Sequence, residues 1–117
     1  MANFICYPKC STCKKAQDYL DAKGISYDLR DIKTDNPTAQ ELAAWHAKSG
    51  LPLKRFFNTS GLVYKALELK DKLPTMSEAE QYALLATDGM LVKRPILITD
   101  KGVCPGFKAA VWDELLG

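Results

Sequence analysis

The first 32 residues run through a short apolar strand, a Cys-x-x-Cys pair, an amphipathic helix and a second strand, and this succession restricts the fold more than any other feature of the chain. Residues 2–6, with Phe4, Ile5 and Cys6 together, read as a short buried strand that ends at Tyr7-Pro8-Lys9. From Ser11 the residues Cys13, Ala16, Tyr19, Leu20 and Ala22 recur at helical spacing. Ser11 or Thr12 is positioned to cap this helix, and Lys23-Gly24 to end it. Residues 25–32 then alternate apolar and polar side chains, the period of a half-buried strand. A βαβ unit of this length places its two strands parallel.

The middle of the chain has a different character. Asp35-Asn36-Pro37-Thr38 reads as a turn and cap, followed by a helix over 39–48, with further helices expected at about 52–57, 64–69 and 77–86. No strand is expected between Asp31 and Gly89. Strand signals return at Arg94-Pro95-Ile96-Leu97-Ile98-Thr99, where a proline that cannot donate to a ladder belongs at the first position. Asp100-Lys101-Gly102 is a turn and 103–107 the return strand of a hairpin. The final stretch, 109–116, is an amphipathic helix expected to turn Ala110, Val111 and Leu115 inward, with Trp112 a further inward candidate. The expectation is therefore an α/β fold, β-α-β then β-β-α around a mixed four-stranded sheet, as a single domain over residues 1–117 with an all-helical insert at about 33–90.

Sixteen basic against fourteen acidic residues leave a net charge of +2, too small for a strong field toward nucleic acid or anionic membrane. The N-terminus carries no secretory pattern and no apolar run reaches the length of a membrane span, so a cytoplasmic location is expected. Three of the four cysteines, Cys6, Cys10 and Cys13, crowd together while Cys104 stands apart, a spacing that would close only small loops as structural disulfides. Zinc would need four ligands, and beyond the Cys10–Cys13 pair the chain offers only Cys6, Cys104 and His46 without a second paired motif. No metal is expected.

Disulfide exchange needs a thiolate nucleophile and a second thiol near enough to resolve the mixed disulfide. Cys10, ahead of the first helical turn, would meet unpaired N–H groups and the positive end of the helix dipole, with Lys9 and Lys14 nearby, an environment expected to lower its pKa. Cys13, one turn further, reads as the resolving thiol, with Ser11 and Thr12 between them at the binding edge. Arg94 would flank the thiols with a planar donor fork. Pro95 could present a backbone edge to an extended substrate if its peptide bond were cis, but only about 5–6% of such bonds are, so local physics favours trans. Cys6, Cys104, His46, Trp45 and Trp112 read as structural.

Three ordered motifs carry a resemblance: Tyr7-Pro8-Lys9-Cys10-Ser11-Thr12-Cys13-Lys14-Lys15-Ala16, then Phe57-Asn58-Thr59-Ser60-Gly61 through Tyr64, and Lys93-Arg94-Pro95-Ile96-Leu97-Ile98 with Gly106-Phe107. Together they resemble the arsenate reductase-related family, in particular its Spx-type and C-x-x-C members. The resemblance spans essentially the whole chain and implies a thioredoxin-like fold with a helical insert, a cis Arg94-Pro95 bond, and Cys10 as nucleophile. Glutaredoxin-dependent arsenate reductases of that family hold the oxyanion with three arginines. Here only Arg94 matches, with Asn58 and Phe107 at the other two positions, which leaves a dithiol beside a single arginine.

The leading expectation is a thiol–disulfide oxidoreductase with Cys10, Cys13 and Arg94 in the chemistry and Lys9, Ser11, Thr12, Asn58 and Pro95 binding a thiol or disulfide substrate. No tightly bound cofactor is expected; glutathione, a glutaredoxin or a thioredoxin could supply reductant. The resemblance also implies an alternative, a redox-sensing transcription regulator that binds the C-terminal domain of the RNA polymerase α subunit without contacting nucleic acid directly. Arsenate reduction is the third reading, disfavoured by the missing arginines.

Overall fold

The computed structural model describes residues 2–117. Strand β1 (Ala2–Cys6) is central, with β2 (Tyr27–Asp31) parallel to it on one side and β3 (Ile96–Thr99) antiparallel on the other; β4 (Gly102–Pro105) pairs antiparallel with β3. The order β2-β1-β3-β4 is the mixed four-stranded sheet expected from the sequence. Alternation along the strands divides the core between the two faces. Phe4, Cys6, Leu97 and Cys104 pack with Cys13, Ala16 and Leu20 of helix α1 (Ser11–Ala22) and with Trp112 of the C-terminal helix α6 (Ala109–Leu116). Ile5, Ile96 and Val103 pack instead against Ile32, Leu42, Phe56, Phe57, Leu85 and Leu91, which come from the end of β2 and the segment between β2 and β3.

That intervening segment is helical but more broken than the periodicity suggests. Helix α2 (Ala39–Ser49) opens on a capping box in which Thr38 and Glu41 exchange hydrogen bonds, and closes at Gly50 in the left-handed region. Residues Leu53–Phe56 make one 3-10 turn. The helix expected at 64–69 is two short ones, α3 (Leu62–Ala66) and α4 (Leu69–Lys72), because Glu68 adopts φ 55° and breaks the run between them. Helix α5 (Glu78–Leu85) carries a second capping box, from Ser77 and Glu80. One extended contact interrupts the helical character, an antiparallel bridge between Phe57 and Val92 that anchors both ends of the 57–92 excursion beside the sheet. Gly89 closes the packing: a Cβ there would lie 1.7 Å from the Ile32 carbonyl oxygen.

Four expectations require correction. The cap of α1 is neither Ser11 nor Thr12: Cys10 itself is the N-cap, and no side chain caps the helix. The alternation of residues 25–32 fails at Leu29, which is 55% exposed because β2 lies at the sheet edge and Leu29 joins neither core cluster. Of the α6 residues expected inward, Trp112 is the one buried, while Ala110 and Val111 face outward. The indole decides the face: its Nε1 donates to the Gly106 carbonyl (3.1 Å) and its ring packs edge-on against Phe4 and Phe107, at 6.0 and 4.9 Å between centroids. Finally, the Arg94-Pro95 bond is cis, as the family resemblance implies and against the local preference. Among the described residues no helix is long and apolar enough to cross a membrane.

Arg30 on β2 joins the sheet edge to α2. Its Nη1 and Nη2 donate to the two oxygens of Glu41 at 2.6 and 2.9 Å, and its Nε donates to the Asp35 carbonyl. This bidentate pair, with the capping bond from the Thr38 N–H, holds the Glu41 carboxyl at a pKa of about 2 instead of the usual 4.5. A pKa depressed in the folded state stabilises above the unfolded value and loses that contribution as pH falls toward the folded one. Because Glu41 is partly exposed, screening reduces the contribution to about 1–2 kcal/mol. The Glu41→Gln variant is expected to be less stable than the wild type by about that amount at neutral pH, the difference shrinking as pH drops from about 4.5 toward 2. Denaturant melts across that range check it; a difference that stays constant with pH would contradict the assignment.

Candidate active site

β1 ends at Cys6, and the chain turns through Tyr7, Pro8 and Lys9 into α1. The turn closes with the Cys10 N–H donating to the Tyr7 carbonyl at 2.9 Å, and the first helical turn closes with the Lys14 N–H donating to the Cys10 carbonyl at 3.1 Å. Cys10 therefore sits at the N-cap with extended backbone (φ −87°, ψ 126°), half-buried, where a helix presents unpaired N–H groups that favour negative charge. Because no side chain occupies those donors, they remain open to whatever binds at the sulfur.

Cys13 lies one turn further in and is buried, its sulfur accepting a hydrogen bond from the Tyr7 N–H at 3.2 Å. The side chain packs in one core cluster with Cys6, with the partly buried Cys10 against it. The contact with Cys6, reinforced by burial, pushes the Cys13 thiol well above the usual thiol range, outweighing the opposing pull of the Tyr7 N–H. All four cysteines are free thiols; Cys104, buried below the hairpin, is pushed up by burial and faces the carbonyls of Pro105 and Gly106.

Cys10 opens onto a cleft of about 820 Å³. Of the residues expected at the site, Thr12, Asn58 and Arg94 line it together with Cys10. Cys13 lies behind this surface and Pro95 is buried, its carbonyl accepting from the Gly106 N–H at 2.7 Å. Lys9 and Ser11 are exposed and outside the lining. Gly106 shapes the far wall with φ 83°, a conformation that favours glycine, and its carbonyl is held by the Trp112 indole. Phe107 extends that wall, its ring tilted against Tyr19 and edge-on to Trp112.

Arg94 is held from beneath. Its Nη1 donates to the Met90 carbonyl at 3.2 Å, its guanidinium lies 5.4 Å from the Tyr7 ring centroid, and its Nε is buried without a hydrogen-bond partner. Tyr7 thus touches both halves of the site, Cys13 through its amide and the arginine through its ring. It was not among the expected site residues; its signal is its place immediately before the dithiol motif.

The expectation of a dithiol beside a single arginine is corrected by the cleft itself. Lys54, Arg55, Lys93 and Lys108 line it together with Arg94, and none of the lining residues is acidic. Their spread over the 53–56 turn, the approach to β3 and the entry to α6 hides them from any reading of local motifs. A chain of net charge +2 thereby concentrates five cationic side chains at one thiol.

The sequence model of the ArsC family matches residues 6–115. The chain belongs to the ArsC family. It is 49% identical to the uncharacterized protein YusI of Bacillus subtilis over 95% of this chain and 94% of that protein. It is 28% identical to the regulatory protein MgsR of the same organism, over 89% and 81% of the two chains. A solved structure of an ArsC family related protein from Bacteroides fragilis superposes with a TM-score of 0.95 at 56% identity, covering 97% of this chain and 96% of the other. In this ArsC family chain the sheet, the helical segment between β2 and β3 and the cis proline are all as the resemblance implied.

A thiol attacks as its thiolate, so the elevation of Cys13 has a kinetic consequence. For a mixed disulfide formed at Cys10, the rate at which Cys13 displaces the bound thiol is expected to rise about tenfold per pH unit across the neutral and mildly alkaline range, following the thiolate fraction. Acid-quenched time courses with a small-thiol adduct at Cys10 measure it; a rate independent of pH would contradict the burial of a protonated Cys13.

Proposed function

We propose that this protein is a thiol–disulfide oxidoreductase for small anionic thiols and disulfides. The observation that carries the reading is the placement of Cys10 at an uncapped helix N-terminus, opening into a cleft lined by five cations, with Cys13 buried one turn behind it. Cys10 thiolate attacks one sulfur of a disulfide substrate, forming a mixed disulfide and releasing the other half as a thiolate. Cys13, after losing its proton, attacks the Cys10 sulfur and releases the second half, leaving a Cys10–Cys13 disulfide. Two electrons from a thiol reductant of the glutathione, glutaredoxin or thioredoxin kind restore the dithiol.

The cationic lining supports an acidic substrate. Exposed side chains such as Lys54 and Lys108 attract by long-range field, which salt screens beyond about 8 Å at physiological ionic strength. Arg94 adds a fixed planar donor that charge-assisted bonds to a carboxylate would satisfy. Arsenate fits this lining less well, because Asn58 and Phe107 stand where the arsenate reductases of the resemblance carry arginine. A second reading, a redox-controlled regulator of transcription acting through the RNA polymerase α subunit, is favoured by the similarity to MgsR and by 25% identity to the global transcriptional regulator Spx of Staphylococcus epidermidis. It differs in predicting one oxidation event per molecule and no sustained turnover.

The test is turnover of a dianionic and a neutral aromatic disulfide with excess thiol reductant. The dianionic substrate is expected to react at least about tenfold faster at low salt, with an advantage that shrinks as salt rises and with Arg94→Ala or Lys93→Ala. Cys10→Ser is expected to abolish both reactions. Stoichiometric oxidation without turnover would favour the regulator, and equal rates for both substrates at all salt concentrations would remove the anionic specificity.

A further inference from the structure

The described mechanism leaves one thiol at the site unused. Cys6 is the last residue of β1, 3% exposed, on the same sheet face as Cys13, which is 2% exposed. The Tyr7 nitrogen that donates to the Cys13 sulfur at 3.2 Å is two covalent bonds from the Cys6 Cα, so the backbone itself holds the Cys13 sulfur within reach of the Cys6 side chain. Cys13 shares a core cluster with Cys6, and Cys10, which lines the cleft, packs against that cluster from the other side of the motif. Among the described residues no group of three or more Cys, His, Asp or Glu converges to hold a metal.

We propose that Cys6 is a third redox thiol, which takes over Cys13 from the Cys10–Cys13 disulfide and moves the oxidised bond into the core. The proposal rests on the oxidoreductase reading above, which supplies the first disulfide from a disulfide substrate. The sulfur of Cys6 attacks the sulfur of Cys13; the Cys6–Cys13 bond forms, the Cys10–Cys13 bond breaks, and Cys10 leaves as a thiolate while the proton of Cys6 passes to it or to solvent. No electrons are gained or lost in this step. The leaving thiolate returns to the helix N-terminus and the cationic cleft, an environment suited to it. Burial makes exchange the accessible route, because bulk oxidants reach Cys10 and not Cys6. The oxidised protein would then keep a free Cys10 at its surface, able to take up a second thiol partner while the first two oxidising equivalents stay beneath it.

Trypsin separates the two bonds by cutting after Lys9 and Lys14. A Cys10–Cys13 disulfide stays within the peptide 10–14, whereas a Cys6–Cys13 disulfide joins the peptides 1–9 and 10–14. Wild-type protein oxidised with oxidised glutathione, acid-quenched and alkylated under denaturing conditions is expected to give the joined pair with an alkylated Cys10. The pair should be lost in Cys6→Ser and in Cys6→Ala, and should form at least about tenfold more slowly in Cys10→Ser, where exchange has no starting bond. A looped 10–14 peptide with fully alkylated Cys6 would overturn the role of Cys6 and leave the oxidoreductase reading standing. A joined pair forming equally fast in Cys10→Ser would overturn the exchange route, and no disulfide among the three would overturn both proposals.

Discussion

The seating of Cys13 against the end of β1 is the contact on which the rest of the site depends. One sulfur, buried between strand and helix, accepts the Tyr7 N–H, packs on the core face with Ala16 and Leu20, and fixes where the first turn of α1 begins. Because that turn begins at Cys10, its sulfur is placed at the helix N-terminus by the same packing that buries Cys13. Tyr7 extends the coupling further: its ring lies under Arg94, so the register of α1 on β1 also sets the floor beneath the cleft's one fixed guanidinium. Cys13 is therefore a core residue, and its raised pKa follows from its neighbour Cys6 and from that burial.

Much of this was legible in the chain. The apolar run 2–6, the helical spacing from Cys13 to Leu20 and the proline before Ile96 are local patterns, and each marks an element that is present. The dithiol was recognisable because its spacing and its place after a strand are both local. What sequence physics misjudged depended on tertiary contact. Nothing near Leu29 signals that β2 is an edge strand, and nothing within 109–116 ranks Trp112 over Val111, since the deciding bond comes from Gly106. The proline isomer falls in the same class, being selected by surroundings that a dipeptide does not contain.

The cleft shows the same division between local and assembled information. Its cations come from three parts of the chain, and net charge averages them away against acidic residues elsewhere. The substitution of Asn58 and Phe107 for arginine suggested a weakened anion site, yet the fold surrounds Cys10 with Lys54, Arg55, Lys93 and Lys108 in addition to Arg94. These lysines and Arg55 are set around an open cleft, whereas Arg94 is anchored by Met90 and Tyr7. Such a site suits a flexible carboxylate-bearing thiol better than a compact oxyanion that requires several fixed, bidentate donors.

The central claim is that Cys10 attacks and Cys13 resolves, and intact-protein mass after a single exposure to a small anionic disulfide tests it most directly. Wild-type protein should pass through a transient adduct and settle at a mass about two units below the reduced form, while Cys13→Ser should accumulate the adduct on Cys10. A stable adduct on the wild type, or an adduct mapped to a cysteine other than Cys10, would contradict the account.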